Sequence, residues 1–141
     1  MTNADVIRRF YDDLWNRWRL ELADELLAPN VRFRGTLGTS LVGRDGFKGY
    51  VERVRAAFPD WHNEVEELID AGETIVARLT FSGTHRGKLL GIAATGARVE
   101  YAGIAIFRLG GSRIAEAWVV GDTQELWRAL GATPPAGSRT G

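Results

Sequence analysis

The chain is predicted to fold as an α+β domain, with helices first and a mostly antiparallel sheet afterwards. Apolar residues recur at spacings of three and four up to Phe58, and from Trp61 onward the period changes to two. The final alternating stretch, Ile114 to Val120, runs straight into a short helical pattern closed by Gly131. A sheet of long strands wrapping around helices must bend, and a curved sheet closed by helices forms a cone whose wide end its own side chains cannot fill. A pocket is therefore expected.

The first helix is read from Val6, Ile7, Phe10, Tyr11, Leu14 and Trp18, which form one apolar stripe over residues 3–18. Trp15 and Trp18 read as core anchors. A second, short helix covers 21–28 and is ended by Pro29 and Asn30. Residues 31–34 alternate as a short strand, and 35–40 form a turn. Asp45 is placed to cap a third helix carrying Phe47, Tyr50, Val51, Val54 and Phe58, closed by Phe58-Pro59-Asp60. Gly43, Gly46 and Gly49 lack the Gly-Lys-Ser/Thr ending of a phosphate loop and carry no functional weight. Four long strands follow at 61–69, 74–85, 98–109 and 113–120, with Gly103 a point of bending. The domain is assigned to residues 1–131, and the Pro- and Gly-containing run 132–141 is a loose tail.

Composition removes several function classes. The 141 residues suffice for one domain, and 45% hydrophobic with 26% charged residues is an ordinary globular balance. The 18 basic residues cancel the 18 acidic ones and no basic run stands out, so nucleic acid is not an expected partner. No cysteine is present, which excludes disulfides, thiolate catalysis and Cys-ligated zinc. His62 and His85 are too far apart to form a helical ligand pair, and no paired-carboxylate metal motif accompanies them, so a metal is not expected. No membrane segment or leader pattern is visible, and the expected location is the cytoplasm.

Asp122, between the last strand and the last helix, has two readings. With Glu125 three residues on, its carboxylate resembles a helix cap, which accepts hydrogen bonds from free backbone N–H groups. At the end of an apolar strand it could instead point into a cavity, where desolvation raises its pKa toward the range useful for proton transfer. His85 falls on the same face as Ile75, Leu79 and Phe81 if its strand continues regularly, whereas His62 shares a face with Glu64 and Glu66 and reads as solvated.

Several of these residues together resemble a family. The order of elements, Phe58-Pro59-Asp60, Gly83-Thr-His85-Arg-Gly87 followed by Leu90-Gly91-Ile92 and Thr95-Gly96, and the pattern from Glu116-Ala-Trp118 through Asp122 to Leu130-Gly131 resemble the SnoaL-like polyketide cyclases. These belong to the nuclear-transport-factor-2-like (NTF2-like, cystatin-like) cone fold, in which N-terminal helices pack on a curved, mostly antiparallel sheet around a pocket. The resemblance implies a cofactor-independent cyclase or isomerase. An aspartate at the entry to the C-terminal helix takes a proton from an activated methylene, and the enolate closes a ring by intramolecular aldol addition. The matching residue is Asp122, with His85 as an accessory polar group and Tyr11, Trp15, Phe33 and Trp118 shaping a pocket for an apolar, polyketide-like small molecule. The histidine that these cyclases carry in the penultimate strand is matched by Ala105, which favours the alternative of a non-catalytic ligand-binding or interaction module. A hydrolase or dehydratase of the same fold would need a second acidic or water-positioning group. The resemblance also implies a homodimer paired through the outer face of the sheet.

Overall fold

The computed structural model describes residues 1–132, so the expected tail falls outside the described residues apart from Ala132. Thr2 opens α1 (Asn3–Arg9) with a reciprocal capping box: its hydroxyl accepts from the Asp5 N–H and the Asp5 carboxylate accepts from the Thr2 N–H. The helix continues as a π-helical stretch over Phe10–Trp15, which ends the first helix three residues before the stripe suggested. Its i to i+5 bonding, closed by the Asn16 N–H on the Tyr11 carbonyl at 2.9 Å, keeps Tyr11 and Trp15 on the buried side. Asn16 then ties this end to the sheet. Its side-chain oxygen accepts from the Asn63 backbone and side-chain N–H groups at 2.8 and 3.1 Å, and its NH₂ donates to the Asn63 carbonyl at 2.9 Å.

A 3₁₀ turn over Leu20–Leu22 leads into the four-residue α2 (Ala23–Leu26), so the second helix is shorter than the sequence suggests. Strand β1 (Leu27–Arg34) begins at Leu27, four residues earlier than expected. It can contain Pro29 because its ladder with the last strand is interrupted between Leu27 and Arg32, where a missing N–H costs nothing. The three-residue β2 (Ser40–Val42), not foreseen, pairs antiparallel with β1. In α3 (Arg44–Ala57) the N-cap is Gly43, at φ 89°, and not Asp45, which lies in the first turn. The positive φ suits glycine, and the helix starts two residues earlier than an Asp45 cap implies.

Strands β3 (His62–Ala71), β4 (Thr74–Thr84), β5 (Arg98–Gly110) and β6 (Arg113–Gly121) form an antiparallel meander close to the four expected strands. The six-stranded sheet has the order β2-β1-β6-β5-β4-β3, and β1 lies parallel to β6. Interruptions at Val65/Glu67 and Arg108/Leu109 mark the bending expected of a sheet that wraps its helices. Gly103, paired with Leu79 and Gly121, leaves space for the Phe81 ring; a methyl group there would collide with it. The chain closes with α4 (Thr123–Leu130), ended by Gly131 in the left-handed conformation. No helix among the described residues is long and apolar enough to cross a membrane.

Candidate functional site

Strand alternation points Phe33, Phe81, Tyr101 and Val119 to the concave side of the sheet, where they meet Tyr11 and Trp15 from the first helical segment and Tyr50, Val54 and Phe58 from α3. These residues surround a cavity of about 300 Å³ rather than filling it. Aromatic side chains are the largest group in its wall. Phe33 and Tyr50 lie 5.2 Å apart between ring centroids, Phe81 and Tyr101 5.3 Å, and Trp61 stacks on Phe81 at 5.8 Å. Leu89 and Leu90, from the segment between β4 and β5, complete the lining at the open side.

Three phenols carry the polar chemistry. Tyr11, Tyr50 and Tyr101 all line the cavity, and none of their hydroxyls bonds to another described residue. Burial pushes the Tyr50 phenol up to about 12, and burial, reinforced by the neighbouring Tyr50, raises Tyr11 and Tyr101 further. All three therefore remain protonated at neutral pH. Gly35 makes this arrangement possible, because a methyl group there would lie 2.5 Å from the Tyr50 hydroxyl. The only charged side chains in the lining among the described residues are Arg53 and Lys88, both exposed at the opening; no carboxylate or imidazole contributes.

Of the pocket residues expected from sequence, Tyr11, Trp15 and Phe33 are in the wall. Trp118 is not. Ala117 and Val119 point inward, so the alternation of β6 puts Trp118 on the outer face, 40% exposed, with the Arg34 guanidinium 5.0 Å over its ring. Asp122 is an exposed helix cap: its Oδ1 accepts from the Glu125 N–H at 3.2 Å, and it is absent from the cavity wall although Val119 and Leu126 on either side belong to it. His85 is on the inner side, as its strand position implies, but fully enclosed away from the cavity, its ring 5.5 Å from that of Phe58. The Thr95 N–H donates to Nδ1 at 3.2 Å, which makes Nδ1 an acceptor and fastens the two ends of the 85–97 segment. His62 is exposed, with Nε2 3.0 Å from Glu64 Oε2.

Sequence reading missed Tyr50, Tyr101, Trp61, Asn63, Arg53 and Lys88. A signal for two of them was present. Tyr50 lies on the apolar stripe of α3 and Tyr101 on the inward alternation of β5, and a buried phenol carries a polar group that needs a role.

The SnoaL-like polyketide cyclase family model matches residues 5–130. A candidate SnoaL-like polyketide cyclase from Jannaschia sp. CCS1 is 20% identical, with 94% of this chain and 93% of that one covered at a TM-score of 0.85. IdmH, a candidate polyketide cyclase from Streptomyces antibioticus, is 26% identical, with 94% and 100% covered at 0.81. TsrD from Streptomyces laurentii is 28% identical, with 92% and 95% covered at 0.81. A search of the curated proteins finds no match.

Proposed function

Because this chain belongs to the SnoaL-like polyketide cyclase family, we propose that it closes or isomerises a flat, oxygenated, polyketide-like substrate by acid/base chemistry without a cofactor. The observation that carries this reading is the aromatic cavity lined by three protonated, unpartnered phenols. Aromatic walls hold the hydrocarbon body of such a substrate, and preorganised O–H donors stabilise the negative charge that develops on a carbonyl oxygen as an enolate forms. Removal of the proton is assigned to Asp122, the carboxylate at the junction between the cavity-lining Val119 and Leu126. To act, it turns out of a single cap bond worth about 1 kcal/mol. A methylene between two carbonyls is acidic enough for so modest a base. His85 has no place in this scheme beyond holding the 85–97 segment. The outer sheet face, bearing the exposed Ile104 and Trp118, is proposed as the homodimer surface.

A second reading has its own support. With Asp122 engaged as a cap and no other base in the wall, the same cavity serves a non-catalytic ligand carrier. Deuterium exchange into the activated methylene of ethyl 2-naphthoylacetate, followed by NMR, separates the two. The cyclase reading predicts exchange accelerated by the protein and lowered about a hundredfold by Asp122→Asn. The unfolding midpoint stays unchanged, because Asn caps a helix as well as Asp. Exchange that survives this substitution removes Asp122 from the mechanism, and exchange no faster than in buffer supports the carrier.

A further inference from the structure

The cavity has an electrostatic sign that the proposed chemistry does not require. Its only ionised lining groups among the described residues, Arg53 and Lys88, are both cationic, and neither forms an ion pair with a described carboxylate. Some surface cations are matched, as Arg9 is to Glu25, Arg32 to Glu116, Lys48 to Asp24 and Arg78 to Glu67, and others such as Arg8 and Arg113 form no ion pair with a described carboxylate; what sets Arg53 and Lys88 apart is that they line the cavity.

Arg53 comes from α3 and Lys88 from the segment between β4 and β5, and both exposed side chains line the cavity. The guanidinium of Arg53 folds back along α3, with Nη1 3.5 Å from where a Gly49 Cβ would be and the charge 6.0 Å from the centre of the Tyr50 ring. Lys88 arrives from the other side of the chain. The segment that carries it is stitched to the C-terminal end of α3, since the Arg86 and Gly87 N–H groups both donate to the Ala57 carbonyl, at 2.9 and 3.1 Å. Gly87 allows this approach, because any side chain there would strike the Ala56 carbonyl oxygen. The His85–Thr95 contact holds the root of the same segment. A cation near a helix C-terminus is favourable in itself, and Arg55 in the last turn of α3 already fills that role. Helix polarity therefore does not account for two further unmatched cations at an apolar opening.

We infer that the cavity selects a substrate bearing a free carboxylate, which sits at the opening between Arg53 and Lys88 while its aromatic body lies among Tyr11, Trp15, Phe33 and Tyr101. The inference rests on the cavity being the ligand site proposed above. It adds a specificity-determining pair: an acid is taken in preference to the ester or amide of the same skeleton.

Trp15 and Trp61 line the cavity, so occupancy is read from quenching of tryptophan fluorescence. The probes are anthraquinone-2-carboxylate and its methyl ester. The carboxylate is expected to bind about tenfold tighter at low ionic strength, the size of effect two partly exposed charges at contact distance supply. Added salt should reduce that preference. Arg53→Gln and Lys88→Gln should each reduce it about threefold, and the double variant should bind acid and ester equally. Equal binding of the two probes by the wild type, or a preference that persists in the double variant, overturns the charge selectivity and leaves the cavity as the ligand site. Failure of both probes to quench overturns the inference and the site together.

Discussion

Strands β4, β5 and β6 each run through two different interiors. Around Ile75, Ala77, Ala105, Phe107 and Ile114 the concave side is closed: Phe107 meets the rings of Phe10 and Tyr11 edge to face at 5.5 and 5.9 Å, and these five residues are essentially inaccessible. Further along the same strands, Phe81, Tyr101 and Val119 stand around empty space. Phe10 forms the partition, packed on Phe107 on one side and lining the cavity on the other. The closed half is hydrocarbon apart from the Tyr11 phenol, which points to the hollow. The open half holds the phenols, the Asn63 amide and the two rim cations. Cohesion resides in the first half, and the second is the proposed ligand site.

The sharpest way to break this division is Phe107→Ala, which leaves a hole in the closed half. It should cost about 3–5 kcal/mol in denaturant unfolding. Gly103→Ala tests the boundary. The added methyl drives the Phe81 ring from its place, so about 1–3 kcal/mol of stability and a large part of ligand affinity should be lost together.

The open half should respond in the opposite way. Removing a hydroxyl with no protein partner strands no buried group, so Tyr50→Phe and Tyr101→Phe should change stability by less than about 1 kcal/mol while slowing methylene exchange about tenfold or more. The same phenols set an alkaline limit. Unfolded tyrosines ionise near pH 10, whereas the folded Tyr50 holds its proton to about 12 and the other two to still higher pH. Between those values the unfolded state binds fewer protons than the folded one, so stability is fully present below about pH 10 and falls as pH rises beyond it. The triple Tyr→Phe variant should show a shallower fall in an alkaline unfolding series. The smallest effect on the fold belongs to the outer face, where Ile104→Glu should alter monomer stability by about 0.5 kcal/mol or less and convert the proposed dimer to a monomer in sedimentation velocity.

Periodicity was a sound guide wherever one face of an element had to be buried. The 3.6 spacing located the stripe of α3, and the alternation of β4 put Ile75, Leu79, Phe81 and His85 inside. It failed where backbone geometry or a single step of register decided the outcome. Gly43 displaced Asp45 as a cap through its positive φ, and Pro29 entered a strand because the ladder is broken beside it. Trp118 was expected in the pocket on residue type, yet the alternation of its own strand turns it outward. For the site, the aromatic wall was partly legible: Tyr11 is expected in the pocket from sequence, Tyr50 reads only as part of the α3 stripe, and Tyr101 is not singled out. The choice between cap and base at Asp122 depended on where one carboxylate oxygen points, which spacing does not encode. Arg53 and Lys88 are 35 positions apart in sequence, and both line the cavity in a fold where residues 86 and 87 bond to the end of α3.

The central claim is that the phenol hydroxyls donate to the carbonyl oxygens of a ligand held in the cavity. Its most direct test is the ¹³C resonance of carbonyl-labelled ethyl 2-naphthoylacetate bound to the wild type and to the Tyr50→Phe/Tyr101→Phe variant. A downfield carbonyl shift in the wild type that retreats in the variant is the predicted result; an identical shift in both proteins would contradict it.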